Sequence, residues 1–427
     1  MCTEDPANAD TSQGIAYQLT PKDPLVDTAQ CQRDASLMKE VGANAIRVYH
    51  VDPDGDHTGC MKAFADVGIY LFVDLDDFPT QIEQVKPPVK LRVDEREWAR
   101  AKEGWADVFV QNKPTWNNTQ FEFFKRTLDE FQKFDNTAGF FIGNEVLTMA
   151  NGSQAAPHIL SAAHDIKAYR DSKKYRKIPV GYSAADIAEL RPMLQNYLVC
   201  RPSSLETIDF FALNAYEWCG QSSFTLSGYS NLQKEAAGYP VPIFFSETGC
   251  IVVRPRDFQD MTAILGPQMS DTWSGAIVYE WIEEKNDYGL VTYGTASGDD
   301  DSNLLVMDSF SRKGTPTPIS PDFSNLKSRW ATLTPSGVAL SAYSASVSSV
   351  TAPPCPGSTS GGWAVDPSCL LPSFHQTKTE GPSASTRHPN AASRPQAIRG
   401  HGSANGFGMA VTITTLLGFG VVIGWRM

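Results

Sequence analysis

Short apolar runs recur along the first three-quarters of the chain, each separated from the next by a helix-length stretch. They read GIAYQ (14–18), NAIRVYHV (44–51), GIYLFVDL (68–75), AGFFIGNE (138–145), IPVGYSA (178–184), IDFFALNAY (208–216), IFFSETG (243–249) and GAIVYEWI (275–282). Runs of this length, rich in β-branched and aromatic residues, are strands covered on both faces. Between them lie stretches such as TQFEFFKRTLDEFQKF, where Phe121, Phe124, Leu128 and Phe131 repeat at helical intervals. Eight strands alternating with helices predict an α/β fold, a (β/α)8 TIM barrel with a parallel sheet. The same alternation fits an open doubly wound sheet, but no G-x-G-x-x-G follows the first strand and no P-loop is present.

The pattern changes near residue 335. Residues 1–13 form an irregular amino terminus, 14–334 the barrel, 335–370 an extension, 371–405 a flexible stalk rich in Ser, Thr and Pro, and 406–427 a hydrophobic tail. The stalk has too few large apolar residues to offset its ordering entropy. The tail, FGMAVTITTLLGFGVVIGW, follows a polar spacer and the small residues Asn390, Ala391 and Ala392. That layout is read as a GPI-attachment signal, with a tail-anchored helix as the alternative. A GPI tail needs entry into the secretory pathway. The opening MCTEDPANADTSQG has no apolar h-region, so an incomplete start is expected.

Composition narrows the partners. In 427 residues that are 41% hydrophobic, the formal net charge is −12, which leaves no basic field for nucleic acid. The eight cysteines form no C-x-x-C pair or metal-spaced cluster with histidine, so neither zinc nor another metal is expected. Two sequons, at Asn117 and Asn151, favour a secreted protein.

The candidate chemistry sits at strand ends. In a parallel barrel the carboxyl ends of the strands form the active face. Asn144-Glu145 closes the fourth strand and Ser246-Glu247 the seventh, so two glutamates can meet across the barrel mouth. Paired carboxylates are what glycosidic bond chemistry requires: one protonates the leaving oxygen and the other attacks the anomeric carbon or activates a water. Asn214, Tyr216 and Trp218 end the sixth strand, and Tyr279 and Trp281 the eighth. Aromatic faces stack on pyranose rings while amides and hydroxyls select sugar hydroxyls. No H-E-x-x-H or G-x-S-x-G motif supports metal or serine chemistry.

The stretches GNEV (143–146), NAYEWCGQSSFTLSGY (214–229), FFSETGC (244–250) and DYGLV (287–291) carry a resemblance. With CQRDASLMKEVGANAIRVYHVDP (31–53) and YSAAD (182–186), the chain resembles the fungal β-1,3-glucanosyltransferases of the Gas/Gel/Phr type, glycoside hydrolase family 72. The resemblance implies a GPI-anchored cell-surface enzyme that cuts a β-1,3-glucan donor and passes the piece it holds to an acceptor glucan. It implies no cofactor and no particular oligomer. Glu145 matches the acid/base and Glu247 the nucleophile; Asn144 matches the amide for the donor's 2-hydroxyl. Tyr49, Asp74, Asn214, Tyr216 and Tyr279 match donor-side positions, and Asp186 and Arg191 acceptor-side ones. The family's cysteine pattern pairs Cys31 with Cys60, Cys219 with Cys250 and Cys200 with Cys355, the last holding 335–370 on the barrel and leaving Cys2 and Cys369 over.

That mechanism demands an ionised Glu247 and a protonated Glu145 together, so a raised acid pKa is expected at Glu145. A β-1,3-glucan endo-hydrolase on the same barrel, or a non-catalytic glucan-binding wall protein, are the alternative functions. Residues 88–111 read as an insertion, TASGDDDSNLL (295–305) as a second lengthening, and the short amino end as a threat to closure of the barrel.

Overall fold

The structure is a computed structural model that describes residues 11–18, 23–82, 114–149, 152–295, 306–307, 309–335, 350–359 and 362–373. Within these residues eight parallel strands close into a barrel in chain order: β1 (Ser12–Ala16), β2 (Ala45–Val48), β3 (Tyr70–Asp74), β4 (Thr137–Asn144), β5 (Val180–Ala185), β6 (Phe210–Asn214), β7 (Ile243–Thr248) and β8 (Trp273–Val278). Contrary to the concern over the short amino end, β1 is complete enough to pair with both neighbours. It aligns Gly14 with Ala45 of β2 and Ser12 with Gly275 of β8.

Helices cover the outside: α1 (Thr28–Val41), α2 (Thr58–Asp66), α3 (Asn118–Phe131), α4 (Ala156–Ser172), α5 (Arg191–Tyr197), α6 (Tyr229–Ala236), α7 (Asp260–Ile264) and α8 (Asp322–Ala331). The helical pattern at 119–134 corresponds to α3, which buries Phe124, Leu128 and Phe131 against the barrel. Asn117 starts it: its side chain accepts from the N–H groups of Thr119 and Gln120, and Gln120 reaches back to the Asn117 N–H. Gly42 ends α1 at φ 100°, a left-handed conformation that glycine adopts without steric cost.

Alternation along each strand builds two cores. Outward residues such as Ile46, Val73, Ile142, Val180, Leu213 and Phe245 join the helices in the main core. Inward residues form a separate cluster around four rings, Phe72, Phe141, Phe210 and Phe244, with centroids 5.1–6.2 Å apart. Gly181 makes room for one of them, since a Cβ there would lie 2.3 Å from the Phe210 ring. This aromatic layer plugs the barrel and is the floor on which the polar mouth rests.

Among the described residues three disulfides are present: Cys31–Cys60, Cys200–Cys355 and Cys219–Cys250. Beyond Cys355, Trp363 is buried against the Tyr197 ring at 5.4 Å, and the Ala364 N–H donates to Ser153 Oγ at 3.0 Å. Cys369 is a free, exposed thiol. Cys2, Asn151, residues 88–111, the lengthened segment at 296–305, and the stalk and tail beyond residue 373 lie outside the described residues. Among the described residues no helix is long and apolar enough to cross a membrane.

Candidate active site

The strand period of two carries polar side chains into the mouth directly above the aromatic floor. Ala45 is followed inward by Arg47 and Tyr49, Phe72 by Asp74, Gly181 by Ser183, Ala212 by Asn214, and Phe244 by Ser246. Two positions break this alternation. The β4–β5 register shifts between Phe141 and Asn144, and the β6–β7 register between Leu213 and Asn214, which places Glu247 opposite Asn214. Such irregularities re-aim side chains. Here they bring Asn144 into the mouth and let Ser246 and Glu247, adjacent in sequence, both face it. Glu145 follows at φ 48°, a conformation rare outside glycine and asparagine.

Arg47 organises the floor. It is fully buried and donates to both Asp74 oxygens, at 3.0 and 2.8 Å, to Asn144 Oδ1 at 3.0 Å, to Ser183 Oγ at 3.1 Å and to Glu247 Oε1 at 3.4 Å. Its guanidinium also lies 4.3 Å from the Tyr49 ring centre and 4.2 Å from that of Phe141. Glu247 receives two further hydrogen bonds, from the Tyr49 hydroxyl at 2.9 Å and the Tyr216 hydroxyl at 2.8 Å. Burial first, and the charge of Glu247 second, push both phenols well above their ordinary value, so they remain hydroxyl donors.

Asn214 links this group to Glu145. Its Nδ2 donates to Glu145 Oε1 at 2.9 Å and to Asn144 Oδ1 at 3.1 Å, while Ser183 and Ser246 hold its Oδ1 at 3.0 and 2.8 Å. Asn144 Oδ1 is thus occupied by both Arg47 and Asn214. Its amide nitrogen is the group left for a ligand.

The carboxyl raised by its surroundings is the one expected to be ionised. Burial pushes Glu247 up to about 7; Arg47 opposes, the charge of Glu145 adds, and Tyr216 and Tyr49 oppose. The physical reason is depth: Glu247 is 8% exposed, whereas Glu145, one residue past the end of β4, is half-buried at the rim.

Other expected residues are placed as follows. Asp74 lies beneath the mouth with both oxygens held by Arg47. Tyr279 packs edge-on against Tyr49, ring centres 6.4 Å apart, and its hydroxyl accepts from Gln18 Nε2 at 2.6 Å. Asp186 and Arg191 form an ion pair with each other, and Arg191 also binds Glu235 Oε2 at 3.1 and 2.9 Å, in a cluster beyond β5. Of the two tryptophans offered as sugar platforms, Trp281 is sealed from any ligand and Trp218 is half-buried. Trp281 is fully buried against Phe323 of α8, and Trp218 packs on Tyr229 of α6. Among the described residues no group of His, Cys, Asp and Glu is arranged to hold a metal ion.

Sequence reasoning missed Arg47, Ser183, Gln18, Glu280 and Tyr288. Arg47 had a signal, a lone cation in the strand NAIRVYHV, and Tyr288 lay in the family-like stretch DYGLV. Tyr288 stacks edge-on between Tyr216 and Tyr279, at 5.7 and 5.2 Å.

This arrangement has counterparts. The sequence model of the Glyco_hydro_72 family, Glucanosyltransferase, matches residues 8–99 and 106–313, more than half of the chain. The chain belongs to this family. The match runs through most of 88–111, so the part outside the family pattern there is 100–105. Among curated family members, a 1,3-beta-glucanosyltransferase of Schizosaccharomyces pombe, gas2, is 36% identical over 368 residues, spanning 83% of this chain and 70% of that protein. Protein EPD1 of Candida maltosa is 38% identical over 354 residues, 81% of this chain and 56% of its own length. The chain spans only about half the length of several such relatives. A mutant of Saccharomyces cerevisiae Gas2p, solved with laminaritetraose and laminaripentaose, superimposes with a TM-score of 0.68 at 34% identity, over 86% of this chain and 70% of that one.

Proposed function

We propose that this family member is a β-1,3-glucanosyltransferase acting by retaining double displacement, with Glu247 as nucleophile and Glu145 as acid/base. The observation that carries the reading is the shared network. Glu145 and Glu247 converge on one mouth, and their holders, Asn214 and Arg47, meet on the same oxygen of Asn144.

In the first half-reaction a Glu247 carboxylate oxygen bonds to the anomeric carbon. The glycosidic bond breaks, and its oxygen takes the proton of Glu145. In the second, Glu145 removes the proton of an acceptor hydroxyl, whose oxygen displaces Glu247 from the anomeric carbon. A new glycosidic bond forms and Glu145 is again protonated. The asymmetry of the site supports this division. Glu247 has a cation and two phenol donors beside it, whereas Glu145 has the neutral amide of Asn214. Those donors offset part of the cost of burying the charge on Glu247, whose pKa burial still holds at about 7. The Asn144 amide, whose oxygen is held by Arg47 and Asn214, the partners of the two glutamates, suits the donor's 2-hydroxyl through its nitrogen, a contact that strengthens as positive charge develops at the anomeric centre.

Both partners in this reading are β-1,3-glucan chains. The laminari-oligosaccharides in complex with the yeast homologue support that substrate class. We extend the reading to a GPI-anchored protein of the fungal cell surface, on the strength of the spacer and apolar sequence at 390–427. The test is incubation with reduced laminari-oligosaccharides and sizing of the products. Products longer than the substrate support transfer. Exclusively shorter ones identify an endo-hydrolase, and none in wild type identifies a non-catalytic binder.

A further inference from the structure

A third carboxylate stands at the barrel mouth with no part in the displacement. Glu280 follows Tyr279 just beyond β8 and is fully buried. Its Oε1 accepts from Asn286 Nδ2 at 2.8 Å and its Oε2 from Gln18 Nε2 at 2.8 Å. The same Gln18 nitrogen donates to the Tyr279 hydroxyl at 2.6 Å. An amide nitrogen has two protons, and both are used here. The amide of Gln18 can therefore turn only with its carbonyl oxygen away from Glu280 and Tyr279. The Tyr279 oxygen, having accepted, keeps its own proton to donate.

We propose that Glu280 is a positioning residue for substrate recognition: it fixes the amide polarity of Gln18, presenting the Gln18 carbonyl as an acceptor and the Tyr279 hydroxyl as a donor to the hydroxyls of one glucosyl ring. Tyr279 is one ring away from the nucleophile's partner Tyr49, so the paired acceptor and donor face the ring next to the reacting bond. An unanchored amide could flip, offering NH2 where the sugar presents a donor and leaving the Tyr279 hydroxyl to turn inward. A carboxylate accepts but does not donate, and a neutral acid has an oxygen to accept as well as a proton to give. Burial, and then the charge of Glu284, push Glu280 up to about 8 against the bonds from Asn286 and Gln18. The orienting grip is therefore strongest in alkaline solution, where Glu280 can only accept.

The inference rests on the glucan-transferase reading. Its test compares wild type, Glu280→Gln, Gln18→Met and the double variant on laminari-oligosaccharides, by kcat and KM at several pH values. Glu280→Gln keeps the shape but supplies a competing NH2 group. It should raise KM by about tenfold, the scale of one lost hydrogen bond in a closed site, with a smaller effect on kcat. Gln18→Met should raise KM similarly, and adding Glu280→Gln to it should change nothing more, because the amide to be oriented is gone. The wild-type advantage over Glu280→Gln should grow as pH rises through about 8. Unchanged KM in Gln18→Met overturns the proposal even if Glu280→Gln fails to fold. Additive effects in the double variant also overturn it, since they show that Glu280 acts elsewhere. A wild-type protein inactive on these glucans overturns the transferase reading and this inference together, whereas an active one with unaltered variants removes the inference alone.

Discussion

Replacing the nucleophile candidate should stabilise the protein, by an amount that depends on pH. Glu247 is 8% exposed, and its pKa rises from an ordinary 4.5 to about 7, chiefly because burial disfavours its charge. At 1.36 kcal/mol for each pKa unit, the ionised side chain costs the folded state about 3 kcal/mol. The sign follows from the direction of the change. A group raised on folding contributes stability that is complete below the unfolded value of 4.5 and lost as pH rises through about 7. Glu247→Gln keeps an acceptor oxygen for Tyr49, turns its NH2 to the Tyr216 hydroxyl oxygen, which then accepts, and leaves Arg47 its two bonds to Asp74. The variant should therefore match wild type near about pH 4 and exceed it by up to about 3 kcal/mol above about pH 8. Denaturant unfolding of both proteins across that range, with disulfides intact, measures the difference. Two parallel stability curves, or a Gln variant weaker at every pH, would refute the claim that burial of this charge is held at a cost in stability.

Three further outcomes are expected. Arg47 lowers the pKa of Glu247, so Arg47→Met should move the acid limb of the kcat/KM profile to higher pH, while Arg47→Lys, which keeps the charge, should move it less. Buried His57 bridges Asp23 at 2.7 Å and Glu130 at 3.2 Å; burial lowers its pKa, but Asp23 and then Glu130 outweigh that and raise it above 6.5. His57→Gln should thus be most destabilising below about pH 6.5, with the deficit shrinking as pH rises through the raised value, as followed by unfolding at several pH values. Removing the Cys219–Cys250 link, which spans 31 residues, with two serines should cost about 4 kcal/mol by loop entropy, read from denaturant midpoints, and should lower kcat because Cys250 lies three residues from Glu247.

The barrel was legible because buried parallel strands are apolar along their length, so each run stood out and its polar ending marked the active face. GFFIGNE shows this most clearly: a run of inward and outward apolar residues ends in the two groups that enter the mouth. Less legible was which side of the wall a residue occupies near a strand end. Trp281 has the same parity as Tyr279, yet the chain has left β8 by then, and α8 contributes Phe323 as its neighbour from much later in the sequence. Arg47 was hidden for a related reason. A cation within a strand reads as an edge position until the fold supplies Asp74, Asn144 and Glu247 from three other strands. The location of the raised carboxyl was likewise a matter of depth, and depth is set by register irregularities in β4 and β7 that periodicity does not reveal.

The most direct test of the central claim is to trap the covalent intermediate. A 2-deoxy-2-fluoro laminaribiosyl fluoride slows both half-reactions but keeps a good leaving group, so the enzyme should gain the mass of one disaccharide unit. Proteolysis and mass spectrometry should then place that mass on Glu247, and the adduct should last longer in Glu145→Gln, which lacks the base for the second step. A protein that transfers glucan yet acquires no adduct, or carries it on another residue, contradicts the account.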